Sequence, residues 1–97
     1  MNLDFAKLAE LNPGERPYKG YFIPLERGYV RLMASRLDTE GMVVAINYYG
    51  KMDDAGENFE LNRVNEKRQK VEDFEADLAR FRDMLEKSGL HIFIEEL

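Results

Sequence analysis

The chain has 97 residues, of which 44% are hydrophobic and 34% are charged, and it carries a formal net charge of −5 with no cysteine. This length and composition predict one folded domain over residues 1–97 and argue against intrinsic disorder. The lack of cysteine excludes disulfides, cysteine nucleophiles and thiolate metal sites, and it is typical of a cytoplasmic protein.

The first half of the chain predicts a short helix followed by three strands. Asn2 is a suitable N-cap for the helix, and the turn at Asn12, Pro13 and Gly14 ends it because proline cannot continue a helix. Segments rich in aromatic and β-branched residues then alternate with turn-forming residues, which is the pattern of β-strands. The predicted strands cover residues 18–25, 29–37 and 42–49.

The second half predicts a fourth strand, a long helix and a last strand. The fourth strand is short and lies around Phe59 and Leu61. An apolar stripe at helical spacing then predicts an amphipathic helix from near Asn65 to Ser88. The stripe consists of Val64, Val71, Phe74, Leu78, Phe81 and Leu85. Alternation of apolar and polar residues over 90–97 predicts the last strand.

The order α-β-β-β-β-α-β predicts an α+β fold, in which an antiparallel sheet of four to five strands carries one long helix packed on one face. The apolar stripe also fits the a and d positions of a coiled coil. Because it extends over only about three heptads, packing on the sheet is favoured, and a dimer formed through the helix is the alternative. No apolar stretch is long enough to span a membrane, and the N-terminal segment lacks the pattern of a signal peptide.

The acidic stretch KMDDAGENFE over residues 51–60 raises the question of a metal site. An EF-hand calcium loop needs oxygen ligands at its positions 1, 3 and 5. Position 3 is Ala55 when Asp53 comes first and Gly56 when Asp54 comes first, so neither register fits. A turn is the favoured interpretation, because aspartate and glycine between strands are typical of turns. An acidic docking surface built on Asp53 and Asp54 is the second interpretation, and a weak cation site is the third.

Few residues are candidates for catalytic chemistry. His91 is the only histidine, and histidine is the usual general base near neutral pH. Ser88 lies three residues earlier, but no third group is placed to orient the pair for nucleophilic catalysis. The sequence contains no phosphate-binding loop, nucleotide-binding fingerprint or catalytic serine motif. We therefore predict no catalytic, cofactor-binding or metal-ligating residue.

The predicted long helix carries a cluster of acidic residues. The whole excess of negative charge lies in residues 51–97, which hold thirteen acidic and eight basic side chains. Asp73 and Asp77 share one flank of the helix, and Glu75 lies toward the other. A solvated helix face explains these carboxylates, and a surface that meets a basic protein partner is the alternative. Direct binding to nucleic acid is not expected, because the acidic half repels phosphate.

The strand-rich half of the chain holds all five tyrosines. Successive strand residues point to opposite faces, so Tyr48 and Tyr49 cannot both face a single core. If the long helix covers one face, several rings remain on the other, and tyrosine, methionine and arginine are enriched in protein interfaces. Tyr29, Tyr48 and Tyr49 are therefore the predicted aromatic part of a partner-binding surface.

Together these features predict a small acidic, non-enzymatic protein-binding module or inhibitor that acts through its aromatic sheet face and acidic helix flank, with self-association through the helix or a sheet edge. One alternative is an acidic inhibitor of phage type, such as an anti-CRISPR or anti-restriction protein, whose carboxylates mimic nucleic-acid phosphates. The other is a small-ligand-binding domain or enzyme, in which His91, Tyr48 and nearby carboxylates converge between helix and sheet. This small-ligand alternative requires a cavity of about 300 Å³ or more.

Overall fold

The structure, a computed structural model, describes residues 3–56 and 58–96. In chain order the helices and strands are α1 (Phe5–Leu8), β1 (Arg16–Pro24), a 3₁₀ turn (Glu26–Gly28), β2 (Tyr29–Leu37), β3 (Val43–Met52), β4 (Phe59–Gln69), α2 (Val71–Lys87) and β5 (Phe93–Glu96). Within these residues the five strands form one antiparallel sheet of order β4-β3-β2-β1-β5. The predicted α+β fold and element order are confirmed, and Asn2, the predicted cap of the first helix, lies outside the described residues.

Strands β1 to β4 form a meander, in which each strand pairs with the next one along the chain. The C-terminal β5 returns to pair with β1, where Ile94 lies opposite Tyr21. The central register places Met33 of β2 between Tyr21 of β1 and Asn47 of β3. This register decides which side chains share a sheet face, because successive residues of a strand alternate between faces.

The boundary between β4 and α2 differs from the prediction. β4 is not a short strand around Phe59 but continues to Gln69, and α2 begins at Val71 instead of near Asn65. Val64 therefore belongs to β4, where it lies at a bulge and is 50% exposed. The ladder of hydrogen bonds to β3 overrides the helix propensity of the Glu, Lys, Arg and Gln residues in this segment.

α2 packs on one side of the sheet, which we call the helix face. Its apolar stripe buries Phe74, Leu78 and Leu85, as the spacing predicts. The sheet residues of the same core are Tyr21, Ile23, Met33, Val43 and Ala45. Among the described residues, no helix is long and apolar enough to cross a membrane.

The opposite side of the sheet is covered by α1 and the segment around it. Phe5 and Ala9 pack against side chains of β2 and β3, namely Val30, Leu32, Ala34, Ile46 and Tyr48. The ring of Phe5 lies so close to β1 that a Cβ atom on Gly20 would be 2.7 Å from the Phe5 ring, so only glycine fits there. Arg36 ties the segment down by donating to the Ala9 carbonyl at 2.8 Å. The central strands are thus buried on both faces, whereas the sequence predicted cover on one.

Substitution of Phe5 tests the covering role of α1. Phe5→Ala is expected to lower the free energy of unfolding by about 3 kcal/mol, because it removes a buried ring and leaves a cavity. The control is Phe93→Ala, the same change at a ring that is 57% exposed, which is expected to cost less than about 1 kcal/mol. Urea unfolding followed by circular dichroism measures both, and equal losses would contradict the covering role.

Candidate functional site

α2 leaves a groove open between itself and strands β3 and β4, with a volume of about 410 Å³. The groove exists because β4 presents the polar side chains of Lys67 and Gln69 toward the helix face, so the apolar stripe of α2 follows β1 to β3 instead. Met33 and Ala45 form an apolar floor, and Met84, which is 56% exposed, stands on the helix side. We call this space the helix–sheet groove.

Asp77 joins the two walls of the helix–sheet groove. Its carboxylate accepts hydrogen bonds from Gln69 at 2.9 Å, from Lys67 at 3.4 Å and from Arg80. The hydrogen bond from Gln69, followed by Lys67, holds the pKa of Asp77 below its ordinary value despite partial burial. Asp77 therefore stays ionised and connects α2 to β4, so its charge is already compensated within the chain.

A chain of hydrogen bonds orders the polar end of the groove floor. Tyr21 donates its hydroxyl to Asn47 Oδ1 at 2.9 Å, and Asn47 Nδ2 donates to Asn65 Oδ1 at 2.7 Å. The Tyr21 ring stacks on Phe81 with a centroid distance of 5.4 Å. Burial raises the pKa of Tyr21 to about 12, so its hydroxyl remains a neutral donor. The floor is thus ordered before any ligand arrives.

Four side chains extend the groove floor along β2 and β3, and we call them the aromatic–cation patch: Tyr29, Arg31, Tyr49 and Lys51. Arg31 lies opposite Tyr49 and Tyr29 opposite Lys51, on the same sheet face as Met33. The two tyrosine rings stack at 5.2 Å between centroids. Each cation lies 5.5 Å from a ring centroid, Arg31 over Tyr49 and Lys51 over Tyr29. Glu60 of β4 lies opposite Lys51 on the same sheet face.

The three tyrosines predicted to bind a partner do not come together. Tyr29 and Tyr49 are half-buried in the aromatic–cation patch, on the helix face and not on the face opposite the helix as the sequence suggested. Tyr48 points the other way, is only 7% exposed and donates its hydroxyl to the Leu8 carbonyl at 2.8 Å. Because α1 covers it, Tyr48 is not part of an open aromatic surface.

The predicted acidic residues of α2 are also separated. Glu75 lies on the flank away from the groove, where it accepts hydrogen bonds from Lys19 at 2.7 Å and from Tyr18. Lys19, and then Tyr18, lower the pKa of Glu75. Asp73 is exposed in the first helical turn, where a negative charge is favourable beside the helix N-terminus. Two of the three predicted carboxylates, Glu75 and Asp77, are therefore paired inside the chain.

Asp53 and Asp54 lie in the loop between β3 and β4. Gly56 donates its N–H to the Asp53 carbonyl at 3.0 Å, and Asn58 Nδ2 donates to Asp53 Oδ2 at 3.0 Å. Gly56 has a φ of 71°, a conformation that favours glycine. This geometry is that of a turn, and Asp54 is exposed on it. In the part of the chain that the structure describes, no three acidic or histidine side chains converge as a metal site.

Neither His91 nor Tyr48, which the sequence suggested for a pocket, lines the groove, whereas the predicted acidic residue Asp77 does. His91 is exposed between α2 and β5, and Tyr48 lies on the opposite sheet face. Sequence reasoning missed Met84, which lines the groove from α2 while Met33 lines it from β2. One signal was available: Met84 is an apolar residue on the same helical flank as Asp73 and Asp77, outside the apolar stripe.

No protein-family model, curated protein or solved structure matches this chain. Its function therefore has to be inferred from the groove and the patch themselves. Both lie on one sheet face and are open to a partner, and the patch presents the exposed cations Arg31 and Lys51.

The tyrosines near α2 predict a loss of stability at alkaline pH. Burial raises the pKa of Tyr21 to about 12, and burial together with Glu75 raises that of Tyr18 to about 12, from an ordinary value of 10.0. Above pH 10.0 the unfolded chain loses the two phenol protons before the folded chain does. The contribution of the two tyrosines to the free energy of unfolding is therefore complete below pH 10.0 and declines as the pH rises toward about 12. Urea unfolding across this range should show a smaller decline for Tyr18→Phe/Tyr21→Phe; an identical decline would contradict the assignment.

Proposed function

We propose that this chain is a non-enzymatic protein-binding module whose receptor surface is the helix–sheet groove together with the aromatic–cation patch. The observation that carries the proposal is their continuity: Met33 in the groove floor and Arg31 in the patch are neighbours on the same face of β2. The exposed Met84 and the patch tyrosines add the residue types that are enriched in interface cores. The acidic and basic side chains that line the groove, Asp77, Lys67 and Arg80, are hydrogen-bonded to one another, which favours binding over catalysis.

The proposed occupant is a segment of a partner protein that combines an apolar side chain with carboxylates. The apolar floor at Met33 and Ala45 accepts the side chain. Arg31 and Lys51 are exposed and lie at the end of this floor, so they are placed to pair with carboxylates of the same segment. Their positions over tyrosine rings reduce the freedom that each cation loses on binding.

The carboxylates of α2 support a basic partner less well. Glu75 pairs with Lys19, and Asp77 pairs with Lys67 and Arg80, so these acids would have to leave existing partners. An inhibitor that mimics nucleic-acid phosphates would need the same carboxylates, so these ion pairs support that function less well too. Local charge at the patch therefore favours an acidic segment, even though the net charge of −5 opposes its approach over longer distances.

A charge-reversal pair tests the role of the patch. Arg31→Glu/Lys51→Glu should reduce capture of a specific protein from native lysate by at least about tenfold, because two attractive contacts become repulsive. Arg16→Glu/Arg82→Glu is the matched control, since both residues are exposed outside the groove and the patch and the net charge changes equally. Quantitative mass spectrometry compares each variant with the wild type. A partner retained by the patch variant, or lost equally with both variants, would contradict the proposal.

Binding of a small apolar ligand in the helix–sheet groove is the second candidate function. The volume of about 410 Å³ favours it, because ligand pockets begin at about 300 Å³ and are mostly apolar with a few polar groups. Tyr21, Asn47 and Gln69 would supply those polar groups. The two functions differ in the occupant that the groove selects, a free molecule or the side chain of a partner.

A neutral apolar dye separates the second candidate from the first. If the groove holds free apolar molecules, Nile red should bind the folded chain with one-to-one stoichiometry and a large rise in fluorescence. Met84→Glu should weaken this binding by about tenfold, because it places a charge at the groove. Leu11→Glu, at an exposed apolar residue outside the groove, should leave it unchanged. Wild-type protein that gives no saturable signal would reject the small-ligand function.

A further inference from the structure

The edge of the sheet formed by β4 has the features of a second binding surface. β4 pairs with β3 on one side, and no strand among the described residues pairs with its other side. It has 11 residues, or about 36 Å of extended chain, whereas the described part of β5 at the opposite edge has four. Half of its backbone N–H and C=O groups therefore point away from the sheet, and such an edge accepts another strand.

We infer that β4 pairs antiparallel with β4 of a second copy of this chain, so that two five-stranded sheets join across a two-fold axis. The inference goes beyond the proposed function, because it concerns the edge of the sheet and not the groove or the patch. Its basis is the register that the bulge in β4 creates and the charges that this register brings together.

The bulge places residues on both sides of Val64 in matching positions. Asn65 lies opposite Asn47 and Arg63 opposite Tyr48, so Val64 is the extra residue.

Glu60 and Lys67 are seven residues apart and would point to opposite faces of a regular strand. With the bulge between them, both lie on the helix face, opposite Lys51 and Ala45 respectively.

An antiparallel pairing centred between Arg63 and Val64 brings opposite charges together. It places Glu60 of each copy opposite Lys67 of the other, on the same sheet face, and the two-fold axis makes this contact twice. Glu60 is exposed and forms no ion pair with the described residues, and Lys67 is 62% exposed with only a 3.4 Å contact to Asp77. Glu60 is therefore open to a second copy, and Lys67, whose ammonium group has three donors, can keep its contact with Asp77 while it pairs with Glu60 of the second copy.

Two competing interpretations of this edge are less well supported. Charges and a bulge also protect edge strands from non-specific pairing. In the proposed register, however, Glu60 of one copy faces Lys67 of the other, and the two side chains lie on the same face of the joined sheet. A register shifted by two residues would pair Arg63 with Glu66, but Arg63 already pairs with Glu10 in the same chain. The register centred between Arg63 and Val64 instead uses Glu60, which forms no ion pair with the described residues, and Lys67, whose contact with Asp77 is long at 3.4 Å.

Such a dimer would place both helix faces on the same side of a ten-stranded sheet, because the two-fold axis runs perpendicular to it. The two helix–sheet grooves would then lie on either side of the axis, each flanked by its own β4. Val64, which is 50% exposed, would be covered at the axis.

Charge exchange at the edge tests the dimer and its register. Light scattering during size-exclusion chromatography of the full chain should give a dimer mass that falls on dilution. Glu60→Lys and Lys67→Glu should each weaken dimerisation by about tenfold, because like charges then meet twice. An equimolar mixture of these two variants should associate as well as the wild type, since every facing pair is again of opposite charge. Glu86→Lys, an exposed site on α2, is the control and should leave the dimer intact.

Each outcome bears on the inference. Weakened single variants with recovery in the mixture would support both the dimer and the register. Wild-type chain that remains monomeric at all concentrations would overturn the inference, and so would a dimer that neither single variant weakens. Circular dichroism melting of each variant shows whether it folds. If Lys67→Glu does not fold, Glu60→Lys/Lys67→Glu takes the place of the mixture, and failure of this double variant to dimerise overturns the inference.

Discussion

The width of a single helix limits how much of the sheet α2 can cover. The groove that stays open on the helix face results from that limit. An α-helix is about 10 Å across, whereas five strands at a spacing of about 4.8 Å extend over about 19 Å. The apolar residues of β1 to β3 attract α2 to their part of the sheet, and β4 offers polar side chains instead. The groove occupies the part of the helix face beside β4 that α2 leaves uncovered, the patch continues its floor along β2 and β3, and α1 covers the opposite face.

Ion pairs determine which surface charges remain available to a partner. The net charge of −5 suggests an acidic surface, but Glu75 and Asp77 pair with cations of the same chain and connect α2 to β1 and β4. Beside the apolar groove, Arg31 and Lys51 are exposed cations, and Glu60 lies opposite Lys51 on β4. The charge that a partner meets is thus set locally, because a partner at contact distance experiences individual charges more than the net charge.

The meander connects the groove with the sheet edge. Because each strand pairs with its predecessor, the 11-residue β4 is left at one side of the sheet, where it forms both the outer wall of the groove and an open edge. A partner at the groove and a second copy at the edge would therefore contact the same strand from different sides. Such proximity provides a physical route for coupling between dimerisation and binding, since both would restrict the motion of β4.

The sequence by itself determined the features that depend on local periodicity. The spacing of Phe74, Leu78 and Leu85 predicted the buried stripe of α2, and strand alternation placed Tyr48 and Tyr49 on opposite faces. Only the tertiary structure decided that residues 65–69 are strand, that Tyr48 is covered by α1, and that Met33 and Met84 line one groove. These features depend on pairing register and on contacts between distant segments, which are set by the energy of the whole fold and leave no local pattern in the chain.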